Sequence, residues 1–223
     1  MYVLSWAHLS SLFPFHFNTS ENFLKIFIFL FFLVSSIFAQ ENYSIRLAYG
    51  KSTESDLGEI LIGQVNGDVA DLRTFSLDGG YLLGRDLFHA PVDLYIKSSL
   101  SYFDEAGLQD DIYEVTLYFK LYYNFTPYSQ KVRFGFGEGA SYTDGILMSE
   151  YYGALEHHDH TSHYLNYLDI TLDIDMGTLL QSKMLHHTYI GFLIKHRSGI
   201  FGLINNVKHG GSNYNCVMIE KNF

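Results

Sequence analysis

Apolar and polar residues alternate with a period of two in eight separate runs that follow one another from Asn42 to the end of the chain. Successive side chains of a β-strand point to opposite faces, so each run predicts a strand with one apolar and one polar face. None of the runs has a convincing helical period. The runs lie near positions 43–50, 71–84, 92–102, 113–125, 131–142, 163–176, 188–198 and 212–223. This pattern predicts an all-β fold.

Strand length and the charges on the polar faces favour a membrane barrel over a soluble one. Most runs are longer than a typical soluble strand and can cross a bilayer at a tilt. Tyr and Phe, 18 and 19 in number, cluster at strand ends like the aromatic girdles of membrane barrels, and the last residue is Phe223. Charges that a small polar lumen would pair lie at mid-strand, namely Lys97, Glu114, Lys120, Arg133, Asp169 and Asp173. We predict an eight-stranded antiparallel transmembrane β-barrel over residues 40–223.

The only long apolar run, Phe23 to Ala39, precedes the alternating part of the chain. Lys25 lies ahead of its apolar core, and small residues lie near its end. Residues 1–39 are therefore predicted to be a leader with a signal peptide that is cleaved after Ala39. An uncleaved membrane anchor is the alternative. Residues 1–22 fit neither the signal nor the barrel, and a start codon assigned too early would explain them.

Charge and composition restrict the partners and cofactors. The formal net charge of -10, without a Lys/Arg cluster, argues against nucleic acid as a partner. The single Cys216 excludes an internal disulfide. No metal or other cofactor is predicted: the cluster of residues 156–160 with His163 could bind a transition metal through imidazole and carboxylate, but it lacks a spaced ligand set. The glycines of 135–139 lie on a strand, where they are expected to make room for bulky neighbours rather than bind a nucleotide.

Connector length predicts the orientation of the barrel. The links near 51–70, 103–110, 143–162 and 199–211 are mostly long and polar, whereas those near 85–90, 126–130 and 178–186 tend to be shorter. Outer-membrane barrels have short periplasmic turns and longer outside loops. Strand seven is therefore predicted to run from the periplasmic side toward the cell exterior, with His196 and Ser198 at the outer-leaflet rim.

His196 and Ser198 share a face with an apolar stripe on strand seven, formed by Ile190, Phe192 and Ile194. A serine hydroxyl becomes a nucleophile when a base takes its proton, and histidine is the usual base near neutral pH. Residues two apart on a strand have Cα atoms roughly 6 to 7 Å apart, which brings such a pair within reach of contact. The stripe would place the pair where the acyl esters of lipopolysaccharide lie. The alternative is a pair of rim residues that touch lipid head groups.

The end of the chain resembles the PagL family of outer-membrane lipid A 3-O-deacylases, small barrels with a lipid-facing Ser-His-acid triad near the outer rim. The matching segments are His196-Arg197-Ser198, Gly199 to Asn206, and Gly210 to Tyr214 before a last strand ending in Phe. The resemblance implies a carboxylic ester hydrolase of the bacterial outer membrane that removes an ester-linked acyl chain from lipid A. Ser198 would be the nucleophile and His196 the base. Lipopolysaccharide would be the partner, and a homodimer is left open.

The sequence departs from the family at two positions. The asparagine that follows the family's serine is Gly199 here, and Ser212-Asn213 stands where the family has its acid. We favour Asn213 for the third role because it has the outward parity of strand eight. Glu138 is outward on strand five but two strands away. Glu220 has the opposite parity and is rejected.

The candidates for stabilising the oxyanion are the backbone N–H groups of Gly199 to Gly202 and the side-chain amides of Asn205 and Asn206. The sequence does not choose among them, nor does it identify the acyl position that is cleaved. Two non-enzymatic hypotheses also stand. One is a structural, adhesive or narrow transport barrel, and the other is a lipid-binding barrel whose site has lost its acid.

Overall fold

The computed structural model describes residues 42–67 and 70–223, which form one closed antiparallel barrel. Its strands are β1 (Tyr43–Ser52), β2 (Arg73–Gly84), β3 (Val92–Asp104), β4 (Ile112–Phe125), β5 (Val132–Thr143), β6 (Tyr164–Asp175), β7 (Thr188–Ser198) and β8 (Ser212–Asn222). Each strand pairs with the next, and β8 pairs with β1 to close the barrel. The predicted eight-stranded barrel is confirmed. The predicted signal peptide lies outside the described residues.

Three short α-helices lie in the connections between strands within the described residues. Helix α1 (Leu57–Leu61) belongs to loop 1, which we define as residues 53–72 between β1 and β2. Helix α2 (Met148–Glu156) lies between β5 and β6, at the same end of the barrel as loop 1, and α3 (Met176–Leu179) lies at the opposite end. Within residues 42–67 and 70–223, no helix is long and apolar enough to cross a bilayer.

The barrel has an apolar outside and a polar inside. Along β4, exposed residues such as Val115 and Leu117 alternate with buried ones such as Glu114 and Thr116. Large side chains with no exposed surface include charged and phenolic groups that a soluble protein would place outside. A wall that pairs its backbone groups around a closed barrel and turns apolar side chains outward meets the requirements of a bilayer.

Three groups of ion pairs fill the lumen. In the middle group, Arg46 contacts Asp78 and Asp169 at 2.5 Å each, and Lys120 pairs with the same Asp169. The group toward the end bearing α3 includes Lys97–Glu220 at 2.5 Å and Arg133–Asp173 at 2.7 Å. The group toward α2 includes Lys195–Glu114, Arg197–Glu114 and Arg197–Glu150. All the charges predicted to face a lumen are paired there.

The glycines of β5 make room for two large lumenal side chains, as predicted. A Cβ atom added at Gly135 would lie 2.6 Å from Cε of Lys120, and one at Gly137 would lie 2.9 Å from Cδ2 of Tyr118. At Gly139 the added atom would lie 2.1 Å from the Leu117 carbonyl oxygen. These glycines let β4 and β5 pair closely beside the middle ion-pair group.

An aromatic row crosses four strands near the end that carries loop 1. The ring centroids of Tyr49 and Phe75 are 4.7 Å apart, those of Phe75 and Tyr102 are 6.4 Å apart, and those of Tyr102 and Tyr113 are 5.6 Å apart. Aromatic rings with polar tips suit the boundary between water and hydrocarbon. The row therefore marks the level of a membrane interface on this side of the barrel.

Candidate functional site

The outward face of β7 carries His196 and Ser198 at its last two outward positions, as predicted from the parity of the strand. Lys195 and Arg197 point into the lumen, where each is 1% exposed. Arg197 Nε donates to Glu150 Oε1 of α2 at 2.7 Å. Burial raises the pKa of the Glu150 carboxyl, and the ion pair with Arg197 opposes that shift. Arg197 thus anchors the end of β7 from inside the barrel.

Asn213 lies directly opposite His196 in the pairing of β7 with β8. Its Oδ1 is 2.7 Å from His196 Nδ1, and its Nδ2 donates to the carbonyl oxygen of Ser55 at 3.0 Å. A carbonyl only accepts, so the amide nitrogen of Asn213 must face Ser55 and its oxygen must face His196. His196 then carries its proton on Nδ1. Its Nε2 keeps a lone pair, as a general base requires.

Ser198 shares the outward face with His196, but no hydrogen bond joins their side chains among the described residues. The two positions are two apart on one strand, with Cα atoms roughly 6 to 7 Å apart. Catalytic hydrogen bonds of ligand-free enzymes are often long and tighten when substrate binds. The structure therefore brings together His196 and Asn213, and it places Ser198 beside them without that contact.

The structure separates Gly202 and Asn205 from the other candidates for an oxyanion donor. The backbone N–H of Gly202 donates to the Gly199 carbonyl at 3.2 Å, and Asn205 Nδ2 donates to Ser162 Oγ and the Tyr164 carbonyl, both at 2.8 Å. These two donors are already used. Gly199 N–H and the exposed Asn206 amide make no hydrogen bond within the part of the chain that the structure describes.

Loop 1 packs beside the His196–Asn213 pair and adds residues that sequence analysis missed. The Thr53 backbone N–H donates to the Asn213 carbonyl at 3.0 Å, and Ser55 supplies the carbonyl that fixes the Asn213 amide. Asp56 is the N-cap of α1, and its backbone N–H donates to Glu59 Oε2 at 3.0 Å. The Asp-x-x-Glu spacing of a capping box was the sequence signal for this helix start. No local sequence pattern connects this helix start with strand eight.

An apolar groove of ≈ 480 Å³ lies on the outer wall of the barrel under loop 1. Ile60 and Val65 of the loop form one side, and Phe192, Ile194 and Val217 of β7 and β8 form much of the other. Ile194 precedes His196 by two positions on the same outward face. The groove therefore extends to within two strand positions of His196.

Glu138, the less favoured candidate for the third role, and Glu220, the rejected one, lie where their parity predicts. Glu138 is exposed on the outer wall, and Leu168 lies between it and His196 in the strand pairing. Neighbouring strands are about 4.8 Å apart, so the backbone of Glu138 is about 10 Å from that of His196. Glu220 is buried in the lumen, with Lys97 Nζ at 2.5 Å.

The loop histidines make contacts of other kinds. The rings of His157 and His209 stack with centroids 4.5 Å apart, and His163 Nδ1 lies 2.8 Å from the Thr143 carbonyl oxygen. Across the described ranges, no group of three or more His, Cys, Asp or Glu residues is placed to hold a metal ion.

No protein-family model and no curated protein matches this chain. Among solved structures, the fold is similar to the crystal structure of the outer membrane enzyme PagL, with a TM-score of 0.54 and 13% sequence identity over 81% of this chain and 99% of that chain. That likeness shows the fold. Neisserial surface protein A (NspA) is also similar, with a TM-score of 0.47 and 13% identity over 82% of this chain and 98% of that chain.

Proposed function

We propose that this protein is an outer-membrane ester hydrolase that removes an ester-linked acyl chain from lipid A. The observation that carries the proposal is the 2.7 Å contact between His196 Nδ1 and Asn213 Oδ1 on the outward face, two positions from Ser198. It leaves the imidazole in the tautomer that accepts a proton through Nε2. The same orienting role is filled by an asparagine in the Cys-His-Asn sites of papain-like proteases.

In the proposed reaction, His196 Nε2 takes the proton of the Ser198 hydroxyl, and the Ser198 oxygen attacks the acyl carbonyl carbon. Negative charge develops on the carbonyl oxygen, where the Gly199 N–H and the Asn206 amide are the available donors. His196 gives its proton to the leaving alkoxide oxygen of lipid A as the ester C–O bond breaks, which leaves the acyl group on Ser198. Water, deprotonated by His196, then releases the fatty acid and restores the serine.

The surroundings of the site support a lipid substrate. The apolar outer wall and the aromatic row suit a position in one leaflet of a bilayer. The groove beside Ile194 offers an apolar surface to an acyl chain whose ester would lie near His196. A bacterial outer membrane is the compartment that supplies lipid A, so we propose the same location for this protein.

The test is a mass spectrum of lipid A incubated with the purified, folded barrel. We expect the loss of one fatty acid with the wild type, and none with Ser198→Ala, because the acyl intermediate forms on the Ser198 oxygen. Ser98→Ala is the matched control, since Ser98 is an exposed serine whose hydroxyl only donates to the Thr116 carbonyl at 2.7 Å. A folded wild type that leaves lipid A unchanged would refute the proposal.

One observation favours a non-enzymatic barrel, structural, adhesive or lipid-binding. In the described residues no carboxylate is hydrogen-bonded to His196, and neither is the Ser198 hydroxyl. On this second hypothesis the two residues touch lipid head groups. It predicts that lipid A gives the same mass spectrum after incubation with His196→Ala, with Ser198→Ala or with the wild type.

A further inference from the structure

The proposed reaction makes His196 positively charged in both of its steps. In serine hydrolases the acid of the triad orients the imidazole and stabilises this imidazolium. Asn213 can orient the ring of His196 but carries no charge. A carboxylate placed near the ring, outside hydrogen-bond distance, would stabilise the positive charge of the imidazolium, which the uncharged Asn213 does not do.

Loop 1 brings such a carboxylate to the site. Two hydrogen bonds of 3.0 Å join the loop to Asn213, one from Thr53 N–H and one to the Ser55 carbonyl. Asp56 follows Ser55 directly, and Asp56 and Asn213 line the same cavity of ≈ 890 Å³ at the mouth of the barrel. The charge of the solvent-exposed Asp56 carboxylate favours the protonated form of the His196 imidazole, whereas burial of the ring opposes protonation.

The loop is held in this position by its own network. Thr53 Oγ1 donates to the Asn66 carbonyl at 2.5 Å, and Asn66 N–H donates to Ser55 Oγ at 2.9 Å. An isolated β-bridge joins Thr53 and Gly67, and Ser55 is 1% exposed. The position of Asp56 is therefore set by the fold of the loop and by its attachment to β8.

We propose that Asp56 is the charge partner of His196, supplied by loop 1 in place of the acid that the last strand lacks. Asp56 is a positioning residue, because it acts on the substrate through His196. This inference rests on the proposed ester hydrolysis, in which the imidazolium forms.

Two substitutions at Asp56 separate its charge from its place at the start of α1. Asparagine is as good an N-cap as aspartate, so Asp56→Asn keeps the helix start and removes the charge. Asp56→Glu keeps the charge with a residue that is not a preferred N-cap. We expect kcat for acyl release to fall about threefold in Asp56→Asn with KM unchanged, the size that an exposed charge pair gives. We expect Asp56→Glu to retain most of the rate.

Glu54→Gln is the matched control, because Glu54 is in the same loop and lines the same cavity but is not a partner of His196. We expect it to leave kcat unchanged. The reverse pattern, with Asp56→Glu impaired and Asp56→Asn intact, would show a capping role and overturn the inference. Equal rates in the wild type and Asp56→Asn would overturn it as well.

A measurement without substrate separates this inference from the proposed function. The titration midpoint of the His196 ring in the folded barrel, followed by NMR and assigned with His196→Ala, should fall by about half a pH unit in Asp56→Asn and stay constant in Glu54→Gln. If wild-type protein does not cleave lipid A but this shift is present, the hydrolase proposal fails and the coupling of Asp56 to His196 stands. An unchanged midpoint refutes the coupling whatever the activity.

Discussion

The chemistry of His196 depends on the direction in which the side-chain amide of Asn213 is turned. One end of that amide meets a backbone carbonyl, Ser55 O, and this fixes its oxygen toward the imidazole. An isolated asparagine opposite a histidine could take either orientation. Loop 1 thus decides the tautomer of a residue on β7, although the two are far apart in sequence.

Replacing Asn213 should therefore impair acyl release by the wild-type mechanism. Asn213→Ala removes the acceptor that holds the Nδ1 proton, and the ring can then adopt the other tautomer. We expect kcat to fall about a hundredfold, within the range for a displaced general base. Asn222→Ala, at the opposite end of β8 and outside the groove, is the control and should keep full activity. The readout is the rate of fatty-acid release, and equal rates for both variants would exclude the orienting role.

Among the elements, loop 1 is the one that covers the groove. Ile60 of α1 is 7% exposed and packs toward the barrel wall, and Val65 lines the groove while keeping half of its surface exposed. The loop contributes an apolar side to the groove and polar contacts to Asn213. We infer that it sets the space available to an acyl chain as well as the orientation of the base.

Filling the groove should change the preferred length of the acyl chain. Val65→Trp adds a large ring to the groove, so we expect slower release of long acyl chains and little change with a short-chain ester. Leu61→Trp places the same ring in the same loop at an exposed position that does not line the groove. The two variants are compared on esters of increasing chain length. An equal loss of rate with esters of every chain length would indicate damage to the loop rather than a shorter groove.

The sequence predicts the strands more completely than the contacts within the candidate site, for a physical reason. Side-chain direction along a strand is a local property, so the parity of His196, Ser198, Asn213 and Glu220 follows from a period of two. The contact of Ser55 with Asn213 joins residues at opposite ends of the barrel sequence, and no local pattern encodes it. The pairing of Arg197 with Glu150 is of the same kind. Closure of the barrel creates both contacts.

At the scale of the whole molecule, the lumen of the barrel is a polar core. The charged groups of the interior meet in ion pairs with little or no exposed surface. Such pairs are weak evidence for stability as intact units, but removing one partner leaves a buried charge uncompensated. The packed interior also argues against the transport hypothesis, because the pairs occupy the space that a solute would cross.

Asp169 should therefore be among the most sensitive positions of the barrel. It bridges Arg46 and Lys120, and its side chain has no exposed surface. Asp169→Ala leaves two buried cations short of a partner, and we expect a loss of about 3–5 kcal/mol in the free energy of unfolding. Asp71→Ala is the control, since Asp71 also pairs with two cations, Lys51 and Arg73, but at the solvent-exposed rim, where ion pairs contribute little. Urea unfolding in lipid vesicles, followed by circular dichroism, measures both. Equal stability of the two variants would show that the lumenal network does not hold the barrel together.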